Sequence, residues 1–324
     1  MDDWAALGYN VKVGLELEAY VMEPDDDGGW KPLDVPSGAV YGTGPLMDPT
    51  GLIDEIMDVA ELCGIPLESV NTEFDAPQWE LTLRYDDAMK ACDDAFLFRQ
   101  MAREVAHQHG LLLTFMGKPI ANRAGSGLHV NFSLERIADG SNACFDEAAD
   151  DGLSTLTKHC IAGLLEHHPA LTALAAPTVN AYKRLMPASL SGFWANWGYD
   201  HRCASVRIPP QRGRGTRIEQ RTADGAAGSH LAVAAVLQAA RLGVVDNLRC
   251  PEPERGDGIT SINTERCSPS SLTAALDALE ANQPFVDAVG PDLVANFVGI
   301  KRAEWTQFSQ AVTDWELSTY LPFH

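Results

Sequence analysis

Glu16 and Glu18 stand two residues apart in VGLELEAYV, residues 13–21, a run whose other side chains are mostly those of a buried β-strand. Alternate side chains of a strand share a face, so both carboxylates project from one side, a few ångströms apart. Like charges held that close raise one another's pKa unless something cationic lies between them. Either water or a metal ion has to be there. A second acidic feature is TEFDAPQWELTLRY, where Pro77 and Gln78 allow a bend that could turn Glu73 and Glu80 toward one point. Glutamates before a strand are otherwise usually solvated.

In AGSGLHVNFSL a glycine loop feeds a strand on which His129, Asn131 and Ser133 share a face. The loop lacks the GK[ST] of a phosphate cradle. For His129 taken alone, a hydrogen-bonded structural role competes with metal ligation. The fourth feature is HRCASVRIPPQRGRGTRIEQR, with Arg202, Arg207, Arg212, Arg214, Arg217 and Arg221 in a chain whose net charge is −21. Two strand-like runs flank PPQRGRG and predict a hairpin, with Arg217, Glu219 and Arg221 on one face of its second strand. A charged hairpin surface is the plain reading. Arginine forks, however, match phosphate and carboxylate oxygens bidentately, and a polyanion such as ATP is the natural guest.

The elements that must position these groups are legible from periodicity. Helical period covers residues 49–64, 86–110, 153–175 and 229–244, and strand-like runs cover 81–85, 111–116, 127–134, 204–208 and 216–222. This predicts a mixed α+β domain. Residues 250–269, rich in Pro, Gly and charge, read as a surface excursion followed by a helix with Ser near its N-cap. His159, His167 and His168 fall on a helix and read as core-edge or surface groups. The acidic balance argues against nucleic acid or an anionic membrane as partner. No apolar run is long enough to span a bilayer. Seven widely spaced cysteines without a CxxC fit a reducing cytoplasm.

Eight stretches in order, GLELEAYV, EFDAPQWE, REVAHQHGLLLTFMGKP, GSGLHVNFSL, PTVNAYKRL, HRCASVRIP, RIEQR and VTDWELSTYLPFH, resemble the catalytic domain of glutamine synthetases and the related γ-glutamyl-amine ligases. The resemblance implies that residues 1–324 form one such domain. Its fold would be a curved antiparallel sheet making a funnel-shaped active site with flanking helices. It further implies two divalent cations, Mg²⁺ or Mn²⁺, one held by Glu18, Glu73 and Glu80 and the other by Glu16, His129 and Glu219. Arg202, Arg207 and Arg217 would face the phosphates of ATP, with Arg214 where the family often has lysine. Tyr85 would stack on adenine, and Ser133 and Asn131 would approach the nucleotide. Arg184 and Arg221 would grip the carboxylates of glutamate, with Gly125 nearby. Arg202, Arg184 and Arg221 carry the catalytic expectation. The implied reaction phosphorylates the γ-carboxylate of glutamate with ATP, and an amine then displaces phosphate.

This sequence departs from the family pattern at informative places. Glutamine-forming members carry a glutamate just after KRLxPG that handles ammonium, and here Leu190 stands in its place. Ala124 replaces an asparagine that contacts substrate, and Asn131 replaces a second histidine. With the apolar GFWANW segment, including Trp194 and Trp197, beside Leu190, an organic amine is the expected nucleophile in place of ammonia. A glutamine synthetase with a divergent flap and a non-catalytic ATP- or glutamate-binding relative are the competing readings. The small N-terminal β-grasp domain of the family is expected to be absent from this chain. A homo-oligomeric ring is expected if that domain exists in the full protein.

Overall fold

The computed structural model describes residues 1–36, 40–260 and 262–323. Ser261, inside the expected surface excursion, and His324, at the end of the closing stretch, lie outside the described residues. The strands are β1 (Tyr9–Pro24), β2 (Trp30–Pro32), β3 (Leu67–Thr72), β4 (Gln78–Leu83), β5 (Asp86–Asp87), β6 (Leu112–Thr114), β7 (Leu128–Arg136), β8 (Trp197–Tyr199), β9 (Val206–Ile208) and β10 (Ile218–Gln220). The helices are α1 (Asp2–Ala6), α2 (Leu52–Leu62), α3 (Ala88–Gln108), α4 (Thr155–Glu166), α5 (His168–Ala175), α6 (Ser229–Val245), α7 (Leu272–Ala281), α8 (Gln283–Val289), α9 (Pro291–Gln310) and α10 (Asp314–Tyr320).

The strands form one sheet among the described residues, in the order β3-β4-β1-β7-β10-β9-β8, with β2, β5 and β6 pairing other lengths of β1. The α+β reading holds, but the expected curved antiparallel funnel does not. The sheet is open and not strongly curled, its end strands β3 and β8 do not meet, and β8 runs parallel to β9. Strand length gives the reason: β1 is a 16-residue spine, whereas β8, β9 and β10 have three residues each. Closing a sheet requires tilted strands whose stagger carries the ladder all the way round, and such short strands do not supply it.

Alternation decides which side of this sheet is core and which is site. Val11, Val13, Leu15, Leu17 and Ala19 of β1 are buried in the hydrophobic core, with Trp79, Leu81 and Leu83 of β4 and Leu128, Val130, Phe132 and Leu134 of β7. Helix α3 packs against β1, β4 and β6, and α6 packs against α3 and α4. The intervening residues, Glu16 and Glu18, Gln78 and Glu80, His129 and Asn131, therefore occupy the opposite face. The helical stretch expected over 153–175 is two helices, broken where Pro169 enters the first turn of α5. His168 is buried there and bonds the Ser268 hydroxyl at 2.9 Å. Ser271 caps α7 by accepting the Ala274 N–H at 3.3 Å.

Helices α4 and α6 cross at Gly163 and Gly243. A Cβ added at either would overlap backbone of the other helix, the Ala239 carbonyl oxygen in one case and that of His159 in the other. A side chain at this crossing forces the helices apart, and overpacking of this kind costs about 1–3 kcal/mol. Gly243→Ala should lower the free energy of unfolding by that amount, read as a lower urea midpoint at unchanged slope. A loss below about 0.5 kcal/mol, the range of an ordinary surface change, would mean that the helices do not cross this closely.

Candidate active site

Register brings the acidic residues into rows across the sheet. Glu18 of β1 lies opposite Glu80 of β4, and Glu16 lies opposite His129 of β7. Asn131 lies opposite Gly14 on one side and Glu219 of β10 on the other, and Glu219 lies opposite Arg207 of β9. Glu73 follows the end of β3, and its carboxylate accepts the Phe74 N–H at 3.1 Å. The β9–β10 pairing is the expected arginine hairpin.

Two groups of these side chains bring their ligand atoms within 4.8 Å of one another: Glu18, Glu73 and Glu80, and Glu16, Glu80 and His129. The first is the expected trio. In the second, Glu80 stands where Glu219 was expected. Glu219 is fully buried and held by Arg207 Nη1 at 2.6 Å and by Arg221 Nη1, with its Oε1 3.9 Å from His129 Nδ1. Carboxylate oxygens with one imidazole nitrogen form a donor set for hard divalent cations. The electrostatics agree. Burial, then the charges of Glu16, Glu73 and Glu18, push Glu80 up to about 9, and burial and Glu18 push Glu73 up. Burial works against ionised Glu16 as well, yet His129, Arg221 and Asn131 outweigh it and hold this carboxyl down at about 2. A positive ion among these groups would relieve the repulsion, so the residues present fit two divalent metals.

Two cavities meet at this cluster, and Glu16 lines both. One, of about 380 Å³, is lined by Tyr85, Ser133, Asn131, Arg214 and Arg217. Asn131 ties it to the cluster by donating to Glu16 Oε1 at 2.9 Å and accepting from Arg217 Nε at 3.1 Å. The other, of about 580 Å³, is lined by the remaining cluster residues and by Arg184, Arg202, Arg207, Arg221, Gly125 and Leu190. The structure thus gathers every site residue expected from sequence around two connected spaces, except that Glu219 sits behind its arginines and lines neither.

The arginines differ in how they are held. Arg184 is buried and donates to the carbonyls of Thr222 at 2.9 Å and Arg221 at 3.1 Å. The GSG loop makes room for it: a Cβ at Gly127 would come 2.6 Å from Arg184 Nη2, and one at Gly125 would come 2.7 Å from its Cγ. Those glycines serve close approach of an arginine. Arg207 also binds Asp200 Oδ1, at 2.5 Å. Arg202 is exposed at the second cavity, and its carbonyl accepts Arg221 Nε at 3.1 Å.

Some groups escaped the sequence reading. Gln78 is buried and donates to Gly125 O at 3.0 Å and Ser126 Oγ at 3.3 Å, bracing the loop beside Glu18. Its place two residues before Glu80 put it on the same face and was a usable signal. Asp224, buried near Arg184 and Arg99, is pushed up by burial to about 6 against the pull of Arg184, and had no local signature. Trp194 and Trp197 line neither cavity; Trp197 is core, donating its indole N–H to Pro251 O at 2.8 Å.

The charge cluster makes stability depend on pH and metal together. Glu80 loses its proton near 4.5 when unperturbed and near 9 in the fold, so the folded metal-free protein binds more protons between those values. Glu80's contribution to stability therefore falls as pH rises from about 5 to about 9. Thermal melts in chelator should show this decline. Mg²⁺ or Mn²⁺ should raise the midpoint more at pH 9 than at pH 6, and Glu80→Gln should flatten the decline. A Glu80→Gln profile that overlays the unchanged protein would contradict this assignment.

The family model described as glutamine synthetase, catalytic domain, matches residues 1–320. The chain is similar to the glutamine synthetase of Methanococcus maripaludis, 35% identical over 327 residues that cover 97% of this chain and 71% of the relative. It is similar to that of Clostridium saccharobutylicum, 33% identical over 325 residues, with 98% and 73% covered. Among solved structures it is similar to GmaS without ligand, with a TM-score of 0.87, 31% identity and coverage of 99% of this chain and 74% of that one. GmaS in complex with ADP gives 0.88, 32%, 98% and 74%. The family-model match over residues 1–320 and relatives more than 30% identical lead to one conclusion: the chain belongs to the glutamine synthetase catalytic-domain family.

Proposed function

We propose that this protein is an ATP-dependent, metal-dependent ligase that joins the γ-carboxylate of glutamate to an organic amine. The observation that carries the choice of amine is Leu190. It lines the larger cavity where glutamine-forming relatives carry a carboxylate, so no acid from that segment meets an ammonium ion. Similarity to GmaS, a γ-glutamylmethylamide synthetase, supports the same reading.

ATP would enter the smaller cavity with adenine on Tyr85, Ser133 and Asn131 beside the nucleotide, and Arg214 and Arg217 toward its phosphates. Glutamate would enter the larger, its carboxylates gripped by Arg184 and Arg221 next to Gly125. The γ-carboxylate then faces the γ-phosphate across the cluster that both cavities share. Glu18, Glu73 and Glu80 would hold one Mg²⁺ or Mn²⁺; Glu16 and His129 would hold the other, with Glu80 shared between the two. Bound there, such ions neutralise charge on the phosphoryl group in transit. Arg202 and Arg207 stabilise the same charge from the larger cavity. Carboxylate oxygen attacks phosphorus and ADP leaves; the neutral amine then attacks the acyl carbon, phosphate leaves, and the nitrogen gives up a proton.

The test is ADP release with glutamate and either Mg²⁺ or Mn²⁺, with product mass recorded. An organic amine should exceed ammonia in kcat/KM, and Leu190→Glu should narrow that ratio by about tenfold, the worth of one added charge contact. Ammonia as the best nucleophile of the unchanged protein would make it a glutamine synthetase. No glutamate-dependent turnover even with hydroxylamine would leave a binding protein.

A further inference from the structure

Four large apolar side chains line the larger cavity among the described residues: Tyr41, Phe74, Leu190 and Ile259. Each is between 40% and 61% exposed, and they come from four separate segments of the chain. Exposed apolar side chains that line one otherwise polar cavity mark a place where apolar matter is bound.

The segments are pinned. Tyr41 donates its N–H to Thr72 O at 2.9 Å, and Gly42 donates to Thr72 Oγ1 at 2.7 Å, which ties that loop to the strand leading into Glu73. Phe74 is bound through its N–H to the Glu73 carboxylate. Leu190 sits between Ser189 and Ser191, whose hydroxyls are 2.6 Å apart, with Ser189 Oγ donating to Met186 O at 2.7 Å. Ile259 belongs to the Pro- and Gly-rich excursion, which the buried Glu254 organises. That carboxylate accepts the N–H groups of Arg255, Gly256 and Asn263 at 2.8–2.9 Å and Asn196 Nδ2 at 3.2 Å. Asp257 then accepts the Ile259 N–H at 2.9 Å.

We infer that Tyr41, Phe74, Leu190 and Ile259 form the seat for an apolar substituent on the amine, so that the preferred nucleophile is a primary monoamine bearing an alkyl or aryl group. This deepens the ligase reading and rests on it. The chemistry separates three classes of nucleophile. An ammonium ion needs oxygen acceptors on all sides, and Phe74, Leu190 and Ile259 present none in their side chains. A polyamine would set a second cation against the same carbon surface, and desolvating a charge without a partner is costly. Of the acids that line this cavity, Asp75 already accepts the Ala124 N–H and Glu73 the Phe74 N–H. An alkyl or aryl group loses nothing there and gains by leaving water.

The experiment compares ammonia, methylamine, ethylamine, propylamine, butylamine, benzylamine and putrescine as nucleophiles, with product mass recorded. The preference should rise about fourfold in kcat/KM per added methylene until the seat is filled. Putrescine should fall well below butylamine, which has the same carbon chain without the second charge. Ile259→Ser should lower the butylamine-to-methylamine ratio of kcat/KM roughly tenfold, the worth of losing about half of a buried isoleucine side chain. A flat series, putrescine above butylamine, or a ratio unmoved by Ile259→Ser overturns the inference while the ligase reading stands. Absence of turnover with every amine and with hydroxylamine overturns both.

Discussion

The mutual repulsion of Glu16, Glu18, Glu73 and Glu80, gathered with His129 at the junction of two cavities, is the constraint on which the rest of this structure depends. A protein that buries carboxylates together has to neutralise them by protonation, by cationic side chains or by bound metal. The first two are visible, and the donors left over suit the third. Burial and its neighbours keep Glu80 protonated to about pH 9, Arg207 and Arg221 hold Glu219, and the remaining donors are those of a hard cation. The sheet keeps these charges on one face because its other face is hydrophobic core, so the alternation that builds the core also builds the site.

The glycines and arginines follow from the same need. Gly125 and Gly127 let Arg184 lie against the loop beside Glu18, whose carboxylate accepts the Gly127 N–H at 2.6 Å. Asn131, where a second histidine was expected from the family, links Glu16 to Arg217 and so couples the cluster to the space assigned to the nucleotide. Positive charge in this acidic protein is thus concentrated where transferred negative charge would need it.

Much of this was legible in the sequence because strand periodicity is local. The two-residue spacing of Glu16 and Glu18, of His129, Asn131 and Ser133, and of Arg217, Glu219 and Arg221 placed each set on one face before any pairing was known. What was not legible depends on non-local pairing and on loops. The parallel β8–β9 pair and the open ends of the sheet have no signature in runs of three residues, so nothing local checked the curved antiparallel funnel that the family resemblance implied. Composition could not tell that Trp197 belongs to the core while Ile259 belongs to the cavity, since both lie in apolar or irregular stretches. The Arg207 contact of Glu219 comes from the opposite strand β9, and only register reveals it.

We propose that Glu80 is shared by two cation sites, one with Glu18 and Glu73 and one with Glu16 and His129. Titration of the chelator-treated protein with Mn²⁺, following the free-ion electron paramagnetic resonance signal, tests it most directly. Two ions should bind per chain, one of them weakened by Glu73→Gln, the other by His129→Ala, and both by Glu80→Gln. Fewer than two ions, or a Glu80→Gln protein that keeps both at full affinity, would contradict it.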